Sequence, residues 1–418
     1  MDLSVAVPME VWGLVHAFVA LDPAGVSPSV SGAVWPVWPK LGDWLSQSDG
    51  RALASTCRAF RAQGWHSRAL CVRTTCELLW TWTSCRLDMD HLSWANITLV
   101  DSPEDSPDHE WWFSHAFELL SKAPNLSRLE LVTEPDIVLG PIGVFKGLMM
   151  LGSCPALQHF RLQSSEEIGM DEAILMCALG RAKSIRTLHL GLEGSSFAAG
   201  AMAQLALLTL DSPLVGLSFN LNYTWIEDSG AQELAQLCRG AHLRDLRLSL
   251  VGNGLSDSSG AALGTLLRWP SLRSLWIDLS DNEFTDASAA EFASLGTDTS
   301  LEDLNVNLSY NMAGDEIAQS FTAAVSAARS VRSVRLGLRG EYHTSRGSIG
   351  DVGALALSSL MYLPWLKSLT LDLRDNPINQ AGYQELRNGE EWPNKVHGWL
   401  SIESMAREVL LSPLQSWS

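Results

Sequence analysis

Residues Leu243 to Ser300 read LRDLRLSLVGNGLSDSSGAALGTLLRWPS followed by LRSLWIDLSDNEFTDASAAEFASLGTDTS, and the second segment repeats the apolar pattern of the first at a distance of 29 residues. Each copy opens with apolar side chains at alternating positions, Leu246, Leu248 and Leu250, then Leu275, Ile277 and Leu279. That two-residue period predicts a strand with one buried face. A polar residue follows just past the last strand leucine, Asn253 or Asn282, where a side-chain amide can bond backbone groups as the chain bends. The rest of each copy spaces its apolar residues three and four apart, which predicts a short helix with one buried stripe.

The same spacing extends outward. Frames open at Leu126, Leu157, Ile185, Leu214, Leu243, Leu272, Leu301, Val331 and Leu366, at intervals of 31, 28, 29, 29, 29, 29, 30 and 35, and Trp94 opens a degenerate one. A single strand–turn–helix unit buries too few side chains to offset the entropy of ordering its backbone. Such units are stable only when stacked, with their strands paired into one parallel sheet. The expected fold class is therefore α/β, a solenoid with a curved parallel sheet inside and helices outside.

At these residues the chain resembles leucine-rich repeats of the ribonuclease-inhibitor type, with LxxLxLxLxxN on the strand side and a GAxxLAxxL-like half in copies such as Gly230 to Ala235. It departs from that pattern by an inserted apolar alternation before the Asn, as in Leu369, Leu371, Leu373 and Asn376, which reads as a longer strand. The Asn is also replaced in several copies, by Ser195, Thr224 and Glu341. The domain division expected is a helical module over 1–66, connecting helices and a degenerate first repeat over 67–125, about nine repeats over 126–390, and a C-terminal cap over 391–418. Within the connecting part, Cys76 to Ser84 and Trp111 to Lys122 read as helices and Trp94 to Val100 as a strand. The final strand is expected at Leu369 to Leu373 and a capping helix at Trp399 to Leu411.

Residues 1 to about 90 do not repeat. Two stretches there, Val7-Pro8-Met9-Glu10 and the run from Trp38 to Arg61, resemble in order the opening and the LSxxDxxxLxxxCRxFR-like heart of an F-box, matched by Leu45-Ser46, Asp49, Leu53, Cys57-Arg58 and Phe60-Arg61. The segment joining them is about a dozen residues longer than in that family, and Pro39 lies just inside the helix that should follow. The resemblance implies docking on the adaptor of a cullin-RING ubiquitin ligase through Pro8, Leu41, Leu45, Leu53 and Cys57. A helical cap closing the end of the solenoid would use the same leucines for its own packing.

Composition narrows the function classes. The net charge of −18, from 47 acidic and 29 basic side chains, opposes binding to a phosphate backbone, so no nucleic acid is expected as a partner. No apolar run is long enough to span a membrane, and the start of the chain lacks the features of a secretory signal. The 7 cysteines form no CxxC pair and no His stands at finger spacing, so reduced buried thiols are expected rather than zinc. Together these point to a cytosolic or nuclear address. None of the phosphate-binding, metalloprotease or nucleophile-elbow motifs occurs, and no catalytic residue, metal ligand or cofactor is expected.

What the repeat offers instead is a surface. Residues between the buried strand leucines should face the inner curve in columns. One column runs His189, Ser218, Arg247, Trp276, Asn305, Arg335, Thr370, the next Gly191, Asn220, Ser249, Asp278, Asn307, Gly337, Asp372, and a third Glu193, Asn222, Val251, Ser280, Ser309, Arg339, Arg374. Trp276 beside arginines has the profile of an interface anchor. The candidate partner-binding residues on this concave face are Arg247, Trp276, Asp278, Asn305, Asn307, Arg335 and Asp372. The function expected is non-enzymatic protein binding, as the substrate receptor of a cullin-RING ligase. The alternatives are a scaffold or inhibitor without a ligase link and a small-GTPase regulator.

Overall fold

The computed structural model describes residues 69–74, 79, 89–99, 109–133, 147–165, 167–240, 242–292, 299–340, 348–388 and 397–401. Twelve strands form one parallel sheet in strict chain order. The first four are β1 (Ala69–Thr74), β2 (Trp94–Leu99), β3 (Arg128–Thr133) and β4 (His159–Gln163). Next come β5 (Thr187–Gly191), β6 (Gly216–Asn220), β7 (Asp245–Ser249) and β8 (Ser274–Asp278). The last four are β9 (Asp303–Asn307), β10 (Ser333–Gly337), β11 (Ser368–Asp372) and β12 (His397–Ser401). Helices return the chain from one strand to the next and pack against one another in sequence, among them Asp257–Leu267, Asp315–Ala327 and Asp351–Ser358. This is an α/β solenoid. Neighbouring strands sit about 4.8 Å apart while packed helices need roughly 8–10 Å, so the sheet takes the inner side of the curve.

One continuous core runs the length of the array. In each repeat the alternating strand residues, such as Leu246, Leu248 and Leu250, are buried, and so are the helix residues facing them, such as Leu263, Leu266 and Leu267. Cys154 and Cys177 lie in this core as free thiols, and burial pushes the Cys177 thiol up to about 11, leaving it protonated and unreactive near neutral pH. No helix among the described residues is long and apolar enough to cross a membrane.

The longer strand inferred from the extra alternation takes the form of a prolonged backbone ladder. Beyond β6 the Leu221 and Tyr223 amides donate to the Ser249 and Val251 carbonyls, each at 2.8 Å. In the next repeat Leu250 and Gly252 donate to Asp278 and Ser280 at 2.8 and 3.2 Å.

Two expectations need correction at the ends. The stretch from Trp399, read as the start of a capping helix, belongs to β12, whose pairing with β11 runs from Ser368↔His397 to Asp372↔Ser401. A free parallel edge beside it supplies a backbone ladder that overrides the weak helical spacing. The sheet also begins earlier than the repeats suggest, because β1 pairs with β2 from Ala69↔Trp94 to Thr74↔Leu99. The helix expected at Trp111 to Lys122 spans His109–Ser121. The F-box-like positions Pro8, Leu41, Leu45, Leu53 and Cys57 lie outside the described residues, as do 101–108, 341–347 and 402–418.

A candidate protein-binding face

The turns after the strands are held by a ladder of asparagines. The Asn282 amide nitrogen donates to the carbonyls of Leu250, Leu279 and Ser280 at 2.9, 3.0 and 3.1 Å, and its oxygen accepts from the Asn253 and Leu255 amides at 3.0 Å each. Asn253 and Asn311 repeat this pattern, donating across the repeat boundary to Leu221 and Leu279 at 2.8 Å each. Asn376 reaches back to Leu338 at 2.6 Å.

A second ladder of aspartates runs along the helix starts. Asp257 accepts from the Thr285 amide at 2.8 Å, Asp286 from Gly314 at 2.8 Å, Asp315 from Gly350 at 2.7 Å, and Asp351 from Asn379 at 2.9 Å. Each carboxylate sits in the first turn of one helix and satisfies an orphan amide at the start of the next repeat's helix. The spacing of Asp228, Asp257, Asp286 and Asp315, 29 residues at each step, is a signal that the apolar pattern alone did not bring out.

These ladders fix the register that sets the inner columns. Arg247 pairs with Trp276, Trp276 with Asn305, and Asn305 with Arg335, so four of the candidate residues stand side by side on consecutive strands. Trp276 lies between buried Leu275 and Ile277 and faces the inner curve, half-buried rather than fully exposed. Its neighbour Asn305 has a buried amide oxygen without a hydrogen-bond partner.

The second column is less available. Asp278 accepts from the Ser280 amide and hydroxyl at 3.0 and 2.7 Å, and Asn307 accepts from the Ser309 amide at 3.1 Å. Asp372 is 7% exposed and gripped by Arg374 through bonds of 2.8 and 2.6 Å. Gly337 separates it from Asn307, so it does not join the Trp276 group. Toward the first strands the same face holds a shallow depression of about 320 Å³ over His159, Arg161 and His189. Burial, then the charges of Arg161 and Arg247, push His189 down to about 4, against a smaller upward pull from Glu130, so the ring is neutral near pH 7.

The two long edges of the sheet differ in charge. Immediately before β5, β7, β8, β10 and β11 stand Arg186, Arg244, Arg273, Arg332 and Lys367, whereas Ser93, Ser127, Gln158, Val215 and Glu302 precede β2, β3, β4, β6 and β9, and exposed Asp245 and Asp303 lie at the same edge. At the opposite edge, in the turns after the strands, Glu193, Glu227, Asp281 and Glu283 are exposed. The cations there, Arg339 and Arg374, are engaged by Asp375 at 2.5 Å and Asp372 at 2.6 Å. On the acidic edge lie three exposed aromatics, Tyr223, Trp225 and Tyr310, all with left-handed backbone at φ of 56, 53 and 58°. Tyr223 and Tyr310 occupy the position two past the last strand leucine, where Gly194 and Gly252 stand in other copies. A column drawn through the turns rather than the strands would have found them. Among the described residues no group of three His, Cys, Asp or Glu side chains is placed to hold a metal. Comparison with known proteins finds no matching family model and no matching curated protein.

Proposed function

We propose that this chain is a non-catalytic protein-recognition module whose partner docks on the inner face of the sheet. The observation that carries this reading is the row Arg247, Trp276, Asn305, Arg335, which brings two cations, a half-buried indole and an unpaired amide oxygen together on four adjacent strands. Aromatic and arginine side chains held rigidly on strands lose little entropy on binding and commonly dominate interface energetics. The repeat chemistry itself is of the leucine-rich kind, supported by the spacing of Leu246, Leu248, Leu250 and Asn253 and by the cross-repeat bonds of the asparagines.

The F-box-like match over Val7 to Arg61 supports a further role for the same partner: capture on the inner face for modification by a cullin-RING ubiquitin ligase, whose adaptor meets Pro8, Leu41, Leu45, Leu53 and Cys57. The partner is recovered by proximity labelling with the full chain and its affinity then measured. Trp276→Ala combined with Arg335→Ala should weaken that affinity at least tenfold while shifting Tm by less than about 2 °C. An unchanged affinity would end the inner-face reading. Co-purification of the ligase adaptor, lost on Leu45→Asp with Leu53→Asp, supports the ligase role; no adaptor, or an adaptor retained by that variant, leaves a scaffold.

A further inference from the structure

The depression at the β3–β5 end of the inner face gathers charged and titratable side chains that the Trp276 row does not use. The register sets them side by side, with Arg128 opposite His159, Glu130 opposite Arg161, and Arg161 opposite His189. Together with Thr187 they line one hollow of about 320 Å³. Two of them already hold each other, since Arg128 donates to the Glu130 carboxylate at 2.9 and 2.5 Å. His159 is oriented by a 2.6 Å hydrogen bond between its Nδ1 and the Thr187 hydroxyl, which leaves its Nε2 for another partner.

Arg161 and His189 have no such partners. Among the described residues Arg161 forms no ion pair and one long bond, 3.5 Å to Gln163, and the His189 ring forms no hydrogen bond. Ser218, opposite His189 on β6, carries no charge, and Glu193, four residues beyond His189, is engaged by Asn220 at 3.1 Å. The charges that reach the His189 ring are the guanidiniums of Arg161 and Arg247, with Glu130 as the opposing one. Arg247 is shared with Asp245, two residues before it, whose carboxyl its charge acts on. The hollow therefore combines one unpaired guanidinium with two imidazoles, and its one acid is already held by Arg128.

We infer that this hollow is the docking point for an Asp or Glu side chain of the partner protein, an inference that rests on the protein-binding reading and names the chemistry of the partner. A carboxylate seated there takes a bidentate pair of bonds from Arg161, the geometry in which guanidinium binds carboxylate best, and one more from an imidazole N–H. A monoanion matches one free guanidinium. A phosphoryl dianion finds no second cation in the hollow, because Arg128 is held by Glu130. The overall charge of −18 does not oppose this contact, since charges beyond about 8 Å are screened at physiological salt while Arg161 meets the ligand directly. Position adds a second specification. Arg161 on β4 and Trp276 on β8 stand in one column four strands apart, which at about 4.8 Å per strand is about 19 Å. An extended chain rises roughly 3.3 Å per residue and returns to the same face every second residue. A segment lying across the strands therefore carries its acid about six residues from the apolar side chain that packs on Trp276.

The test uses the full chain as bait for a random dodecapeptide phage library, followed by synthesis of the enriched consensus peptide and measurement of its affinity by fluorescence anisotropy. The consensus should carry Asp or Glu about six residues from an aromatic or aliphatic residue. Its affinity should fall at least tenfold when that acid is replaced by its amide, and equally on Arg161→Ala, which alters an exposed side chain and keeps the fold. Arg161→Lys should recover only part of the loss, because ammonium lacks the fork that binds both carboxylate oxygens. The amide peptide should bind wild type and Arg161→Ala alike, a coupling that a merely structural effect of the substitution would not produce. A library that enriches nothing, a consensus without an acid, or tighter binding with phosphoserine in place of the acid overturns the docking point. Binding kept by Arg161→Ala but lost on Trp276→Ala with Arg335→Ala also overturns it, while leaving the inner-face row in place. The reverse pattern upholds the docking point and ends the role of that row.

Discussion

Two neighbouring parts of the array fold by the same plan and finish it differently. From Leu243 to Gly314 the turns are closed by Asn253, Asn282 and Asn311, each buried and each bonded across the repeat boundary. From Ile185 to Glu227 the equivalent positions are Ser195 and Thr224. The Ser195 hydroxyl reaches only the Ser164 carbonyl, at 3.5 Å, and Thr224 bonds its own turn and the next. The first region satisfies its turn carbonyls with amides. The second lacks those amides, and its turn at Thr224 holds three positive-φ residues, Tyr223, Trp225 and Glu227, with Trp225 exposed. The asparagines tie repeats together, while exposed left-handed aromatics occur both beside one, as at Tyr310, and without one, as at Tyr223 and Trp225.

The sharpest way to break the regular region is Asn282→Ala. It removes five hydrogen bonds and leaves the Asn253 and Leu255 amides and the Leu250 carbonyl of the preceding repeat without their partner, while the Leu279 and Ser280 carbonyls keep the Asn311 and Gly252 donors. A loss of about 3–4 kcal/mol is expected, read as a fall in the urea midpoint, with faster hydrogen exchange at the Asn253 and Leu255 amides. Ser195→Ala, at the same register position, should cost well under about 1 kcal/mol, since one long bond is lost. Equal losses for the two would mean that the asparagines are not what holds the repeats together.

Asp257→Ala comes next. Asp257 receives the Thr285 amide at 2.8 Å and its hydroxyl at 2.5 Å, and sits in the first turn of its own helix. Losing both roles should cost about 1–2 kcal/mol, with the urea midpoint falling by less than for Asn282→Ala. A neutral result would show that water replaces the carboxylate at these partly exposed helix starts.

The strand columns were legible because the two-residue alternation of Leu246, Leu248 and Leu250 and its 29-residue return leave one consistent register, and a slip of one residue would bury Arg247 and Trp276. The helices were legible from three- and four-residue spacing. Two kinds of information were missed for physical reasons. Strands β1 and β12 are defined by the open edges they pair with, which no local pattern records. The exposure of Trp225 goes with a left-handed backbone at the turn position where Gly254 stands in the next copy, and nothing in its own sequence neighbourhood, Asn222 to Glu227, marks that conformation. Within the candidate inner-face site, side-chain type and column were readable for Trp276 and Arg335, whereas the capture of Asp372 by Arg374 depended on a bend two residues long.

The smallest effect sharpens the comparison at the less regular end. His189 is held neutral down to about pH 4 by burial and by Arg161 and Arg247, with Glu130 as the opposing acid and His159 nearby in the same depression. Its ordinary value is 6.5, so on acidification the unfolded chain takes up the proton first. The stability tied to the neutral ring is therefore fully present above pH 6.5 and is lost as the pH falls from there toward 4. Carboxylates elsewhere titrate over the lower part of the same range, so the informative quantity is a difference between proteins. The urea midpoint of wild type should drop more between pH 7 and pH 4.5 than that of His189→Gln, which has no proton to gain. Equal drops would place the His189 ring in contact with water and its charge within reach of Glu130, making this end of the inner face an acid-tolerant surface rather than a desolvated one.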